Sequence, residues 1–146
     1  MKLKFIFLGK QDAKFTGFQI DKYLKRLNNF CKHEVLFISE KNHSKLDKKI
    51  NKHINRRTHV IVLDENGKIY NTLDYSKFLY SIINDCETLL FVVGDAYGLP
   101  LSLLNKANSI ISLSKMTFPH HIARLILVEQ TYRAFTVINN HPYHHE

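Results

Sequence analysis

The sequence predicts an α/β protein, a mostly parallel sheet of five to six strands with helices on both faces. Three observations predict it. Short runs rich in Ile, Val, Leu and Phe recur five times along the 146 residues. They lack the apolar–polar alternation of a strand with one wet face, so they read as strands covered on both sides. Segments with helical apolar spacing separate them, and that alternation marks helices packed on a parallel sheet. No internal repeat, low-complexity tract or linker interrupts the pattern, so residues 1–146 are expected to form one domain, large enough to bury a real core.

Taken in order, the first strand is Lys2–Leu8, "KLKFIFL". A helix follows over Thr16–Phe30, where Ile20, Tyr23, Leu24, Leu27 and Phe30 share one face. Glu34–Ile38 is the second strand. Ser44–Arg57 reads as a helix because Ser44-x-x-Asp47 is a relative of the capping box and Leu46, Ile50 and Ile54 repeat every four residues. Val60–Leu63 is the third strand. Asp74 is placed to cap Tyr75–Cys86, with Phe78, Leu79, Ile82 and Ile83 as its stripe. Leu89–Val93 is the fourth strand. Pro100 suits the first turn of a short helix to about Ala107, where a missing N–H costs nothing. Ile110–Leu113 is the fifth strand, and Pro119 opens a long helix to about Val137.

That last helix, "PHHIARLILVEQTYRAFTVI", is apolar around most of its circumference. It is therefore expected to be covered on more than one side, and in a small domain a dimer partner is the natural cover. Glu129 follows Ile126, Leu127 and Val128 and stands four residues before Arg133. A carboxylate in such surroundings must be paired or shifted in pKa, so structural pairing and catalysis are both open to Glu129.

The net charge of +8 is unevenly spread. Residues 1–57 hold 15 of the 21 Lys+Arg and 5 of the 13 Asp+Glu, for +10, and the rest of the chain comes to −2. The excess peaks at "KNHSKLDKKINKHINRR", seven basic side chains against Asp47. Such a block attracts polyanions and points to nucleic acid, with a solvated helix face as the other reading. Apolar runs such as Phe5–Leu8 and Leu89–Val93 are too short to span a bilayer, and no signal-peptide core follows Met1–Lys10. A cytoplasmic location and no membrane partner are expected. Cys31 and Cys86 lack CxxC spacing and read as free thiols. His141, His144 and His145 have no cysteine or carboxylate cluster beside them, so no metal is expected.

In open α/β sheets ligands sit beyond the carboxyl ends of the strands. This selects "LDENGK", "GDAYGLP" and "LSKMTFPHH". Gly94 and Gly98 bracket the second loop, where backbone can approach a ligand closely. No GxGxxG or GxxxxGK[ST] motif is present, and no Ser-His-Asp or Cys-His arrangement can be argued from spacing.

"FVVGDAYGL", "SLSKMTFPHHIARLILVEQTYRAF" and "NNHPYHHE", with the opening "MKLKFIFLGK", resemble the small SPOUT-class methyltransferases of bacteria that methylate N3 of a pseudouridine in 23S rRNA. The resemblance runs end to end, and its specific part is the C-terminal third. It implies a C-terminal deep trefoil knot, a homodimer acting on 23S rRNA within the ribosome or large subunit, and S-adenosylmethionine held by the three post-strand loops. Carried over, the cofactor positions are Leu63, Gly94, Leu113, Ser114, Lys115, Met116, Thr117 and Phe118. The tail is implied to lie at the active site near the dimer interface, with His144 and His120 as candidate bases, Tyr143 orienting the base or stacking, and Glu129 holding Arg133 or another cation. In the alternative reading, Arg124, Arg133 or Lys115 stabilises the imide anion and solvent takes the proton. The chain departs from the family pattern at Asp95, where many relatives continue with glycine, and at His145, where relatives commonly have arginine. These departures leave open a second reading, a basic α/β protein that binds RNA or ribosomes without catalysis.

Overall fold

The computed structural model describes residues 1–11 and 14–145. Ten elements follow in order: β1 (Lys2–Leu8), α1 (Phe15–Leu27), β2 (Lys32–Ile38), α2 (His43–Asn51), β3 (Thr58–Ile69), α3 (Thr72–Ile82), β4 (Thr88–Val93), α4 (Leu101–Lys106), β5 (Ser109–Ser112) and α5 (His120–Ile138). The five strands form one sheet in the order β2-β1-β4-β3-β5, and every neighbouring pair is parallel.

Alternate residues of the central strands feed two cores, as the pleat requires. Leu3, Phe5 and Phe7 of β1, Ile61 of β3 and Leu89, Phe91 and Val93 of β4 meet α1, α3 and α5. Phe5 and Phe91 stack there at 5.0 Å between ring centroids. Ile6, Leu8, Val60, Val62, Leu90 and Val92 face the other way, onto Leu46 and Ile50 of α2 and Leu103 of α4. Two-sided burial explains the unbroken apolar runs. Each such side chain withdrawn from water contributes about 1.5–3 kcal/mol.

The end of the chain is tied to its beginning. Arg124 of α5 is buried; its Nη2 donates to the Leu8 carbonyl at 2.6 Å and its Nη1 to the Lys10 carbonyl at 3.0 Å. Its guanidinium carbon lies 5.4 Å from the ring centroids of both Phe7 and Phe37. The α5 helix packs between α1 and α3 and on β4. Much of its apolar circumference is thus covered within one subunit, where the sequence suggested a partner.

Four expected boundaries are corrected. The second helix ends at Asn51, not Arg57, and its cap is Asn42, whose side chain accepts from the Lys45 amide at 3.0 Å. The third helix is capped by Asn71, which accepts from the Asp74 amide at 2.8 Å, so Asp74 lies inside it. The first helix stops at Leu27 and leaves Phe30 in the following turn. The third strand runs on to Ile69 through residues expected to be loop, with a register shift against β5 between Leu63 and Lys68.

Candidate functional site

The middle of β3 and the carboxyl ends of β4 and β5 open into a cleft of about 570 Å³. Its walls come from residues 63–65 within β3 and from the segments that leave β4 and β5. Leu63, Asp64 and Glu65 stand on one side and Gly94, Asp95, Ala96, Gly98 and Leu99 on a second. Residues 112–120, except Lys115, complete it, together with Ala123. This volume lies within the usual range for small-molecule sites, which pair apolar walls with a few placed polar groups.

Local chemistry sets each wall. A side chain at Gly94 would put its Cβ 3.2 Å from Leu99 Cγ, so glycine keeps backbone at the cleft surface. In the second loop Asp95 Oδ1 accepts from the Tyr97 amide at 2.9 Å and the Asp95 carbonyl from the Gly98 amide at 3.1 Å. Gly98 takes φ +75°, a conformation glycine adopts at no steric cost. Asp95 therefore shapes the turn as well as lining the cleft. In the third segment Ser114 Oγ accepts from the Met116 amide at 2.9 Å, and the Ser112 hydroxyl donates to the Ser114 carbonyl at 2.8 Å. Met116 is three-quarters exposed at the mouth.

Of the sequence-predicted positions, Leu63, Gly94, Leu113, Ser114, Met116, Thr117, Phe118 and His120 share this cleft. Lys115 is exposed and does not line it. Glu129, Tyr143 and His144 gather elsewhere, around Arg133. Glu129 Oε1 accepts from Arg133 Nε at 2.9 Å, from Arg133 Nη2 at 2.5 Å and from the Tyr143 hydroxyl at 3.1 Å. Glu129 Oε2 accepts from Gln130 Nε2 at 2.8 Å. Arg133 Nη1 lies 3.2 Å from His144 Nδ1, and its guanidinium carbon is 4.8 Å from the Tyr143 ring centroid. The tail is thus tied down on α5, where Tyr143 also packs on Tyr132 with ring centroids at 4.7 Å.

Burial, a hydrogen bond to Tyr23 and the Glu129 carboxylate hold the Tyr143 phenol above the ordinary tyrosine range, which keeps it a neutral donor. Burial works against the Arg133 charge, but bonding to Glu129 and its negative field more than offset this and raise the guanidinium further. Glu129 and Arg133 lie six and ten residues beyond Ala123 on α5, or about 9 and 15 Å along the axis at ~1.5 Å per residue. Within this chain the tail cluster and the cleft are therefore separate.

Sequence reasoning did not select Asp64, Glu65 or Leu99 as cleft residues. The signal was their place in the two loops, beside residues already selected. Among the described residues no group of three or more His, Cys, Asp and Glu is placed to hold a metal ion. No helix among them is long and apolar enough to cross a membrane.

Residues 1–144 match a family model described as "Predicted SPOUT methyltransferase". The chain is 38% identical to the ribosomal RNA large subunit methyltransferase H of Flavobacterium johnsoniae over 157 aligned positions, covering all of both chains. The protein of the same name from Parabacteroides distasonis is also 38% identical over the full length of both. The Clostridium botulinum (Eklund 17B) counterpart is 37% identical over 99% of each. Among solved structures, a "probable methylase family protein" from Haemophilus influenzae Rd KW20 superposes with a TM-score of 0.59 at 10% identity. It covers 94% of this chain and 66% of its own, a likeness of fold.

Proposed function

The chain belongs to the SPOUT methyltransferase family, and from that premise we propose that it methylates N3 of a pseudouridine in 23S rRNA on a ribosomal particle, using S-adenosylmethionine. The observation that carries this reading is the cleft, built from residues 63–65 of β3 and the loops that follow β4 and β5. Its residues fit the cofactor. Gly94 exposes backbone, Leu63, Leu113, Met116 and Phe118 offer apolar contact, and Asp64, Glu65 and Asp95 supply negative charge suited to a cationic ligand. When bound, S-adenosylmethionine supplies a methyl carbon on a sulfonium leaving group.

The chain's own task is placement, because in-line displacement gains most from holding two reactants at near-attack distance. The target nitrogen is an imide that must lose its proton, and His120 is the candidate base that stands at the cleft itself. Arg133 and His144 present N–H groups suited to steady an imide oxygen as charge develops. Since they lie along α5 from their own subunit's cleft, they act at the cleft of a second copy, in a homodimer. The knot implied by the resemblance belongs to the same proposal.

Two measurements test the reading. Mass spectrometry of 23S rRNA nucleosides from a strain lacking the gene is expected to show a pseudouridine without its N3 methyl group, and purified protein with S-adenosylmethionine should restore it. Calorimetry is expected to show S-adenosylmethionine binding. Cofactor binding without methylation would favour the binding-module reading, and neither would end the proposal.

A further inference from the structure

The loop 94–99 faces two ways. Gly94, Asp95, Ala96, Gly98 and Leu99 line the cleft, and Tyr97 does not. Its side chain turns outward at the rim and is 67% exposed. Asp95 bonds the turn on both sides of the ring, through the Tyr97 amide and the Gly98 amide. The Lys41 ammonium lies 5.6 Å from the Tyr97 ring centroid, a cation over an aromatic face.

Lys41 leads into α2. Along that helix and its C-cap, Lys45, Lys48, Lys49 and Lys52 follow the spacing i, i+3, i+4, i+7 and form one exposed stripe, while Leu46 and Ile50 bury the opposite side in the core. Arg56 and Arg57 continue the exposed basic run. Of the two acids in this stretch, Asp47 is engaged outside the row, 3.3 Å from Lys106, and Glu40 pairs within it, 3.4 Å from Lys49, leaving Lys45, Lys48 and Lys52 without a carboxylate at salt-bridge distance among the described residues. A row of cations thus runs from the far end of α2 to an exposed aromatic ring at the cleft rim. Single-stranded nucleic acid is bound by this combination, phosphates by the cationic row and a base by the aromatic face.

We propose that Tyr97 and Lys41 form a base-stacking step at the rim of the cleft, the inner end of an RNA track along the lysine stripe of α2. The inference rests on RNA being the substrate, and it assigns the surface that feeds the cleft. Tyr97 holds the nucleotide flanking the target, and Lys45, Lys48, Lys49 and Lys52 hold phosphates farther out.

The test uses the full chain with purified ribosomes and, separately, a short fluorescent single-stranded RNA. Tyr97→Ala is expected to weaken oligonucleotide binding about tenfold, in the range for loss of one base–aromatic stack. It should raise KM for ribosomes, and Tyr97→Phe and Tyr97→Trp should restore both. Reversing Lys45, Lys48 and Lys52 to glutamate is expected to flatten the salt dependence of oligonucleotide binding by about two units of slope, from ~0.7 per phosphate contact. Calorimetry with S-adenosylmethionine, expected to be unchanged, reports that each variant still folds. Binding indifferent to Tyr97→Ala in a variant that keeps cofactor affinity would overturn the proposal. So would tight, lysine-dependent binding to vesicles of equal phosphatidylglycerol and phosphatidylcholine with no such dependence for RNA. Loss of the track with methylation intact would sink this inference alone. A wild-type chain that binds RNA but neither cofactor nor methylates would sink the enzymatic reading alone.

Discussion

The Arg133 guanidinium bonds Glu129 through Nε and Nη2 and turns Nη1 to His144 Nδ1 at 3.2 Å. A guanidinium has only donors. Nδ1 must therefore accept, and the ring hydrogen sits on Nε2. That Nε2 is buried and has no protein partner among the described residues. The Nε2 hydrogen is therefore the one that His144 can donate. The sequence offered His144 as a base; with Nδ1 engaged by Arg133, a donor role through Nε2 is proposed in its place. His144→Gln, whose Nε2 amide reaches a similar position, should then keep most turnover, while His144→Ala should lose about 10²-fold, as expected for loss of one well-placed donor. A single-turnover assay at saturating ribosomes separates the two; equal losses would return His144 to the role of base. Glu129 was legible as a paired carboxylate because it is followed at i+4 by Arg133. The convergence of Tyr143 and His144 on the same pair depends on how the chain turns after Ile138, which spacing along a helix does not encode.

Among the elements, local side-chain chemistry decided the boundaries that apolar periodicity missed. The repeat Leu46, Ile50, Ile54 looked like one helix, and all three do pack in the same core. But the Asn55 side chain accepts from the Arg57 amide at 2.8 Å, and Thr58 Oγ1 accepts from the Asn55 amide at 3.1 Å. These local bonds offer the backbone an alternative to helix, and α2 stops before them. The polar run after Leu63 looked like a loop because its side chains face water, yet the backbone bulges and pairs again with β5 at Lys68 and Ile69. Gly67 makes that possible. A Cβ there would lie 2.5 Å from the Ile111 carbonyl carbon and 2.7 Å from its amide nitrogen, both backbone atoms that cannot swing aside. Gly67→Ala is therefore expected to destabilise the fold by about 1–3 kcal/mol, as overpacking does, and to lower the urea midpoint. Because Asp64 and Glu65 line the cleft just before this glycine, it should also weaken S-adenosylmethionine binding in calorimetry. Asn71→Ala, which removes the α3 cap at a residue that does not line the cleft, is expected to cost about 1 kcal/mol without that second effect.

The molecule as a whole carries a pH signature independent of the cleft. Burial holds His33 and His59 below the ordinary histidine value of 6.5, and burial with the nearby Lys4 charge does so for His53. Below that value the unfolded chain binds protons at these positions that the folded chain refuses. Their contribution to stability is present above pH 6.5 and is lost as pH falls beneath it. Urea midpoints should drop between about pH 7 and pH 5, and His59→Gln should reduce the drop. The fold class and cleft wall were readable because strand order in the chain and the two-sided burial of each strand leave a residue-level trace. The apolar circumference of α5 does not by itself identify a partner, since α1, α3 and β4 of the same chain cover much of it. The Arg124 clasp also has a consequence for biosynthesis. The Leu8 and Lys10 carbonyls lie 116 and 114 residues from the guanidinium they bond, so on a translating ribosome they stay hydrated until nearly the whole polypeptide has emerged. Nascent chains arrested before Pro119 should remain open to protease at the exit of β1, with protection gained only after release.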